Sequence, residues 1–161
     1  MAPPFGAFFF SVCARGTQPR SMRALGLDVG SKSIGIALTD EANIAAHPLT
    51  VLGRVGNSGD ATAVRKLVDE HGVTDVVVGM PYELSGRIGF RARRVQELID
   101  VLRETLGTVA AVHEQDERFT TAQAERILIE ADVSRAKRSE VIDQQAATLI
   151  LQAWLDKPRG V

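Results

Sequence analysis

The stretch ALGLDVGSKSIGIALTDE, residues Ala24–Glu41, decides the fold of this 161-residue chain. Two apolar runs flank the turn Gly30–Ser33, so the stretch predicts two paired strands, Arg23–Val29 and Ile34–Thr39. One carboxylate, Asp28, interrupts the first run, and acidic side chains are almost never buried unless a partner compensates their charge. Asp28 therefore either accepts backbone hydrogen bonds from the turn or binds a ligand.

The composition is that of a globular domain of ordinary size. Hydrophobic residues make up 45% of the chain and charged residues 24%, which excludes an intrinsically disordered protein. The net charge of −1 gives no general basic field, so a nucleic-acid partner would need a local basic patch. A single cysteine, Cys13, rules out a disulfide framework within the chain and fits a cytoplasmic location. No apolar run is long enough to span a membrane, so no membrane partner is expected.

The first 21 residues differ from the rest of the chain. They contain three of the six prolines and four of the six phenylalanines, and no acidic residue. No basic residue precedes the apolar segment Phe5–Val12, which argues against a secretory signal. We expect residues 1–21 to be a disordered or mis-assigned extension, with Met22 as the true start, and residues 158–161 to be a tail. Residues 22–157 then form one domain.

After the opening stretch, the apolar patterns predict strands that alternate with helices. Asp60 and Gly72 read as the cap and the stop of one helix, and Gly107 ends another. Thr120 and Gln123 make a capping-box pattern that opens a third helix. Hairpin strands followed by βαβ units predict an α/β fold, a mixed sheet with helices on both faces. The remaining predicted elements are strands His47–Leu52, Asp75–Gly79 and Thr108–Gln115, helix Ala61–His71, the loop Met80–Gly89, the basic connector Arg135–Arg138 and helix Ser139–Leu155.

Three acidic positions break the local pattern. Asp28 lies within a strand, Asp116 and Glu117 directly follow the fifth strand, and Asp143 is predicted in the first turn of the last helix. Positions 143, 147, 150 and 154 share one helix face, so Asp143 stands on the face that packs against the sheet. The helix dipole favours an acid in a first turn but does not explain why it faces inward.

Taken together, these carboxylates predict a metal site. Acids that converge from separate elements repel one another and do not all ionise without compensation. Two Mg²⁺ or Mn²⁺ ions resolve this, because hard cations prefer oxygen ligands. Such an ion pair can hold the attacking and leaving oxygens of a phosphodiester displacement. The pattern therefore predicts phosphoryl-transfer chemistry on a polymer or nucleotide.

Four segments in this order resemble the YqgF/RuvX family: LGLDVGSKSIGIALTD, VVVGMP, DERFTTAQAERIL and VIDQQAATLILQAWLD. These are small bacterial proteins similar to Holliday junction resolvases of the RuvC type. The resemblance covers Met22 to about Asp156. It implies an RNase H-like fold, with a five-stranded mixed sheet flanked by helices, and a metal-dependent nuclease site.

The resemblance also implies which residues form that site. By position they are Asp28, then Glu117 or Asp116, then Asp143, with Asp28 between two metals. We favour Glu117 as the middle ligand and keep Asp116 as the alternative. The family is associated with maturation of the 5′ end of 16S rRNA, and the alternative function is resolution of branched DNA. The expected protein is a monomer or a homodimer.

Basic residues flank the acidic ones in sequence and would contact phosphates. Aromatic residues are scarce after the extension, so recognition of shape and backbone is expected in preference to base reading. The expected contacts are Lys32, Arg87, Arg91, Arg94, Arg118, Arg135, Lys137 and Arg138.

Three other classes compete with a nuclease. An actin-like or sugar-kinase-like ATPase also opens with an Asp-x-Gly hairpin, but it needs two related domains and residues 22–157 supply one. A dinucleotide-binding fold is set aside because Gly26, Gly30 and Gly35 have the wrong spacing for GxGxxG. A catalytically silent nucleic-acid-binding protein on the same fold stays open, although the acids are retained.

Overall fold

The structure is a computed structural model that describes residues 22–118 and 135–158, with side chains described from residue 141 onward in the second range. The extension 1–21, the helix predicted from Thr120 and the end of the chain lie outside the described residues. Within the described ranges, no helix has the length and apolar character needed to cross a membrane.

The described strands form a five-stranded mixed sheet in the order β3-β2-β1-β4-β5. The three hairpin strands β1, β2 and β3 are antiparallel, whereas β4 and β5 run parallel to β1. The predicted mixed sheet is confirmed. The strands are β1 (Arg23–Val29), β2 (Ser33–Thr39), β3 (Ala46–Gly53), β4 (Val73–Met80) and β5 (Ala111–Asp116).

Three described helices cover the two faces of the sheet: α1 (Asn57–His71), α2 (Phe90–Leu106) and α3 (Arg135–Asp156). Helices α1 and α2 share one apolar core with the large side chains of β1, β2 and β4. The predicted stripe of α2 is confirmed, since all five of its members are buried. They are Val95, Leu98, Ile99, Leu102 and Leu106.

Helix α3 packs on the opposite face, where the strands carry small residues. A Cβ added to Gly26 would stand 2.7 Å from the Cβ of Leu151, so the helix and the strand approach closely only because this residue is glycine. Ala147 and Ile150 on the predicted helix stripe are fully buried against Ala24 and its neighbours. This close approach brings the sheet-facing side of α3 to the end of β1.

Two predicted helix starts are wrong. Helix α1 begins at Asn57, so Asp60 lies inside the helix and is not its cap. Helix α3 begins at Arg135, so the segment Arg135–Arg138 is helical and not a connector, and Asp143 lies about two turns beyond the start. The first-turn dipole argument for Asp143 therefore fails, because that effect is confined to the end turns. Strand β5 also starts three residues later than predicted, at Ala111.

Candidate active site

Asp28 lies near the end of β1, directly opposite Gly35 in the antiparallel partner β2. Directly opposed residues of antiparallel strands point to the same face of the sheet. The main chain of Asp143 covers Gly35 on that face, with its carbonyl oxygen 2.0 Å from where a Cβ of Gly35 would be. The fold therefore brings Asp143 of α3 beside Asp28 of β1, because Gly35 has no side chain to keep them apart.

The carboxylate of Asp143 is held by a side chain of the opening hairpin. Ser33 Oγ donates a hydrogen bond of 2.5 Å to Asp143 Oδ2, which connects the first residue of β2 to α3. This contact spans 110 residues of sequence, and the sequence analysis did not assign Ser33 a role. The sequence feature that could have indicated this role is the turn SKS, which places a hydroxyl at the start of β2, the strand that pairs with the one carrying Asp28.

Glu117 directly follows β5 and turns inward. Its backbone N–H bonds to the carbonyl of Met80 at the end of β4, and the residue is only 7% exposed. The carboxyl oxygen Oε2 lies against Gly79, where a Cβ would be 2.6 Å away. Among the described residues this buried oxygen has no hydrogen-bond partner. A buried oxygen without a donor is costly, and a bound cation would compensate it.

Asp28 and Glu117 are two neighbouring acids that shift each other's pKa. Burial, followed by the charge of Asp143, raises the pKa of Asp28 to about 6, against the opposing effects of a hydrogen bond from Glu117 and the charge of Arg91. Burial, followed by the charge of Asp28 and the hydrogen bond to it, raises the pKa of Glu117 to about 8. At neutral pH Glu117 therefore keeps its proton and donates a hydrogen bond to Asp28. A cation that replaced this proton would bind between two oxygen ligands.

Asp116 faces a different environment. Its Oδ2 forms an ion pair of 2.6 Å with Arg118 Nη2, and Oδ1 accepts the backbone N–H of Arg118. Desolvation alone would raise the pKa of Asp116, but the hydrogen bonds and charge of Arg118 hold it below its ordinary value. The structure therefore brings Glu117, and not Asp116, to Asp28.

The oxygen donors of these acidic residues suit a divalent cation, although they do not already surround a single point. In residues 22–118 and 141–158, no three acidic, histidine or cysteine side chains already surround one point as metal ligands. What is present is a pair of carboxylates, half-buried Asp28 and buried Glu117, with an uncompensated oxygen, and a third carboxylate, Asp143, close enough to raise the pKa of Asp28. All the donors are oxygens, the preference of Mg²⁺ and Mn²⁺.

The predicted basic residues are distributed unequally around the acids. Arg91, exposed in the first turn of α2, is near enough for its charge to lower the pKa values of both Asp28 and Glu117. Lys32, Arg87 and Arg94 are exposed on the turn after β1, the loop after β4 and α2. Arg118 is engaged by Asp116. The side chains of Arg135, Lys137 and Arg138 lie outside the described part of the chain.

A largely buried ion pair beside the turn after β1 is not indicated by any pattern in the sequence. Arg54 Nε bonds to Asp60 Oδ2 at 2.7 Å, and Arg54 Nη1 donates to the carbonyl of Gly30 at 2.9 Å. The other oxygen of Asp60 accepts the N–H of Val55. The Arg54 backbone N–H also donates to the carbonyl of Lys32. These bonds fix the turn that follows Asp28 to the start of α1.

This combination of sheet order, flanking helices and clustered acids defines the RNase H-like class of α/β proteins. The chain matches the model of the RuvX family, described as Holliday junction resolvase, over residues 22–157. It therefore belongs to the RuvX family.

Curated relatives extend over nearly the same residues. A protein of Desulforudis audaxviator is 44% identical over 86% of this chain and 97% of its own length, and one of Myxococcus xanthus is 45% identical over 86% and 90%. Both carry the name "Putative pre-16S rRNA nuclease". The predicted family is confirmed.

Solved structures support the fold at lower sequence identity. T. thermophilus RuvC in complex with a Holliday junction substrate has a TM-score of 0.52 and 16% identity, covering 84% of this chain and 96% of RuvC. The fowlpox virus resolvase, solved with Holliday junction DNA, has a TM-score of 0.54 and 12% identity, covering 84% of this chain and all of that one. The predicted RNase H-like fold is confirmed.

Proposed function

We propose that this protein is a metal-dependent nuclease that hydrolyses phosphodiester bonds, acting on the 5′ end of precursor 16S rRNA. The observation that carries the proposal is the convergence of Asp28, Glu117 and Asp143 from three separate elements of the fold. Burial and the charge of Asp28 raise the pKa of Glu117 to about 8, so ionising both carboxylates costs the folded protein stability unless a cation is bound beside them. The relatives' name supplies the substrate.

In this proposal Asp28, Glu117 and Asp143 would together hold two Mg²⁺ or Mn²⁺ ions, with Asp28 as the shared ligand. When bound, the ions lower the pKa of a water molecule and stabilise the charge of the phosphodiester transition state. Ser33 orients Asp143 through its hydrogen bond. The buried position of Glu117 excludes bulk water from its side of the site.

The substrate is positioned by basic groups around the acids. Arg91 lies near Asp28 and Glu117, so it can contact the scissile phosphate or its neighbour. Lys32 lies on the turn that follows Val29, the last residue of β1. It would contact a phosphate adjacent to the one that is cleaved. Action on ribosomal precursors would place the protein in the cytoplasm.

The test is a cleavage assay on two substrates in parallel, a 16S precursor leader RNA and a synthetic four-way DNA junction, in Mg²⁺ or Mn²⁺. We expect the wild-type protein to cut the RNA and Asp28→Asn to lose at least about 100-fold in rate, because an amide is a poor ligand for these cations. Circular dichroism should show an unchanged fold. If Asp28→Asn cuts both substrates as fast as the wild type, the proposal is wrong.

A second candidate function is resolution of Holliday junctions, favoured by the description of the family. Symmetric cleavage of a two-fold junction calls for a dimer. Junction cleavage without RNA cleavage, by a protein that is dimeric in sedimentation analysis, would select this function. Saturable ATP binding without cleavage of either substrate would select the nucleotide-binding class instead.

A further inference from the structure

A pocket of about 270 Å³ opens between the turn after β1 and the first two turns of α2. Its apolar floor is formed by Val29 and Val95, which are 8% and 3% exposed. Three arginines and an aromatic ring stand around it. The lining residues are Val29, Gly30, Ser31, Arg54, Phe90, Arg91, Arg94 and Val95.

Phe90 is the unusual member of this pocket. It is 74% exposed, although it is the first residue of a helix that carries a buried apolar stripe. The guanidinium carbon of Arg94 lies over its ring, 5.8 Å from the centroid. A rigid aromatic face beside a cation, presented to solvent, is the kind of surface on which nucleic-acid-binding proteins stack a base.

The pocket adjoins the candidate active site. Arg91 lines the pocket, and its charge also lowers the pKa values of Asp28 and Glu117. Val29 ends β1 directly after Asp28, and Gly30 begins the turn that follows. Gly30 has no side chain, so the pocket wall on that side is main chain. A phosphate at the acids would therefore leave its neighbouring nucleoside at the mouth of the pocket.

We propose that this pocket binds one unpaired nucleobase next to the scissile phosphate, stacked on Phe90. The inference rests on the proposed nuclease function and gives its substrate class: the nucleotide beside the cut must be single-stranded or extruded from a duplex. A base that is paired and stacked in a helix presents only its edge, so it cannot lie on the Phe90 ring. An unpaired base comes either from single-stranded RNA or from the branch point of a DNA junction.

The experiment measures binding, so that it does not depend on cleavage. Fluorescence anisotropy with Asp28→Asn protein would be run on a short single-stranded RNA and on a four-way DNA junction. Each ligand carries one abasic site, moved along the strand. We expect one abasic position to weaken binding roughly 10-fold in the ligand that provides the base. Phe90→Ala, added to the same protein, should weaken binding of the intact ligand by a similar factor.

The decisive result is the combination of the two changes. If the base stacks on Phe90, the abasic penalty disappears in the Phe90→Ala protein, because both changes remove one interaction. Phe90→Trp should keep the affinity. Leu84→Ala is the matched control, since Leu84 is another exposed apolar residue, 79% exposed, but does not line the pocket. The Leu84→Ala variant should bind with the same affinity as the Asp28→Asn protein to which it is added.

Two outcomes would overturn the proposal. One is an unchanged affinity in Phe90→Ala, or an abasic penalty of the same size with and without Phe90. The other is a loss of self-association in Phe90→Ala without any change in nucleic-acid affinity, which would make Phe90 part of a protein interface. The nuclease proposal can fail independently. In that case the wild-type protein would not cleave either substrate, but its binding would still depend on the base.

Discussion

The main-chain carbonyl of Asp143 lies against Gly35, so closely that a Cβ on Gly35 would be 2.0 Å from that oxygen. Gly35 is the cross-strand partner of Asp28. The separation of the two acids is therefore set by a glycine that has no chemistry of its own, since any larger residue would push α3 away from the sheet.

Gly35→Ala should damage both stability and activity. The added methyl group meets main chain, which cannot rotate away, so we expect a destabilisation of about 1–3 kcal/mol or more and a large loss of cleavage. Urea unfolding and the cleavage assay measure these. Gly53→Ala is the control, because an added Cβ there has no atom within 4 Å. Equal stability of the two variants would show that α3 is not held at this distance.

Glu117→Gln and Asp116→Asn should behave differently although the residues are adjacent. Glu117 faces Asp28, and Asp116 pairs with Arg118 in a partly exposed ion pair. We expect Glu117→Gln to abolish cleavage and metal binding, while Asp116→Asn changes stability by less than about 1 kcal/mol and keeps most of the activity. Isothermal titration with Mn²⁺ and the cleavage rate are the measurements. The reverse pattern would assign the metal ligand to Asp116.

The metal-free protein should lose stability as pH rises. The pKa values of Asp28 and Glu117 are raised in the folded state, to about 6 and about 8, above the ordinary values of 3.8 and 4.5. The folded state thus holds protons that the unfolded state has released, so the stability that these two groups contribute is fully present below about pH 4 and falls as pH rises through 6 and 8.

Thermal unfolding in EDTA from pH 5 to 9 measures this effect. Glu117→Gln should flatten the profile, because glutamine cannot ionise. Added Mg²⁺ should raise the melting temperature more at pH 8.5 than at pH 6, since the cation competes with protons for the same oxygens. A wild-type profile that coincides with that of Glu117→Gln would contradict the prediction.

The buried pair Arg54–Asp60 should stabilise the turn after Asp28. Asp60→Asn leaves the guanidinium, whose side chain is 14% exposed, without its charge partner, so we expect a loss of about 3–5 kcal/mol. Asp69→Asn is the matched control in the same helix. It removes only an exposed pair with Arg65 and should cost less than about 0.5 kcal/mol.

The cleavage rate shows whether the Arg54–Asp60 pair positions the turn after Asp28 or only stabilises the fold. Asp60→Asn assayed well below its melting temperature should still cleave more slowly, with a raised KM, because the carbonyl of Gly30 loses its anchored donor. A KM equal to that of Asp69→Asn would limit Arg54 and Asp60 to a structural role.

The sequence by itself determined the fold, the family and the place of Asp28. The strands and helices could be predicted because apolar residues recur with a period of two in strands and of 3.6 in helices, and such patterns are local. The family could be predicted because the four matching segments are read in order along the chain, independently of how they pack. The sequence pattern misplaced the start of α1, because Asp60 resembles a cap in sequence, while its carboxylate binds Arg54 and the N–H of Val55 from within the first turn of the helix.

Only the tertiary structure decided which acid meets Asp28. Asp116 and Glu117 are neighbours at a strand end, where successive side chains point to opposite sides, and no local pattern says which side faces β1. That depends on the register of β5 against β4 and on Gly79, which leaves room for Glu117 Oε2. The contact of Ser33 with Asp143 likewise joins residues 110 positions apart. Such contacts follow from packing between elements, because the sequence specifies which faces are apolar but not which polar groups those faces bring together.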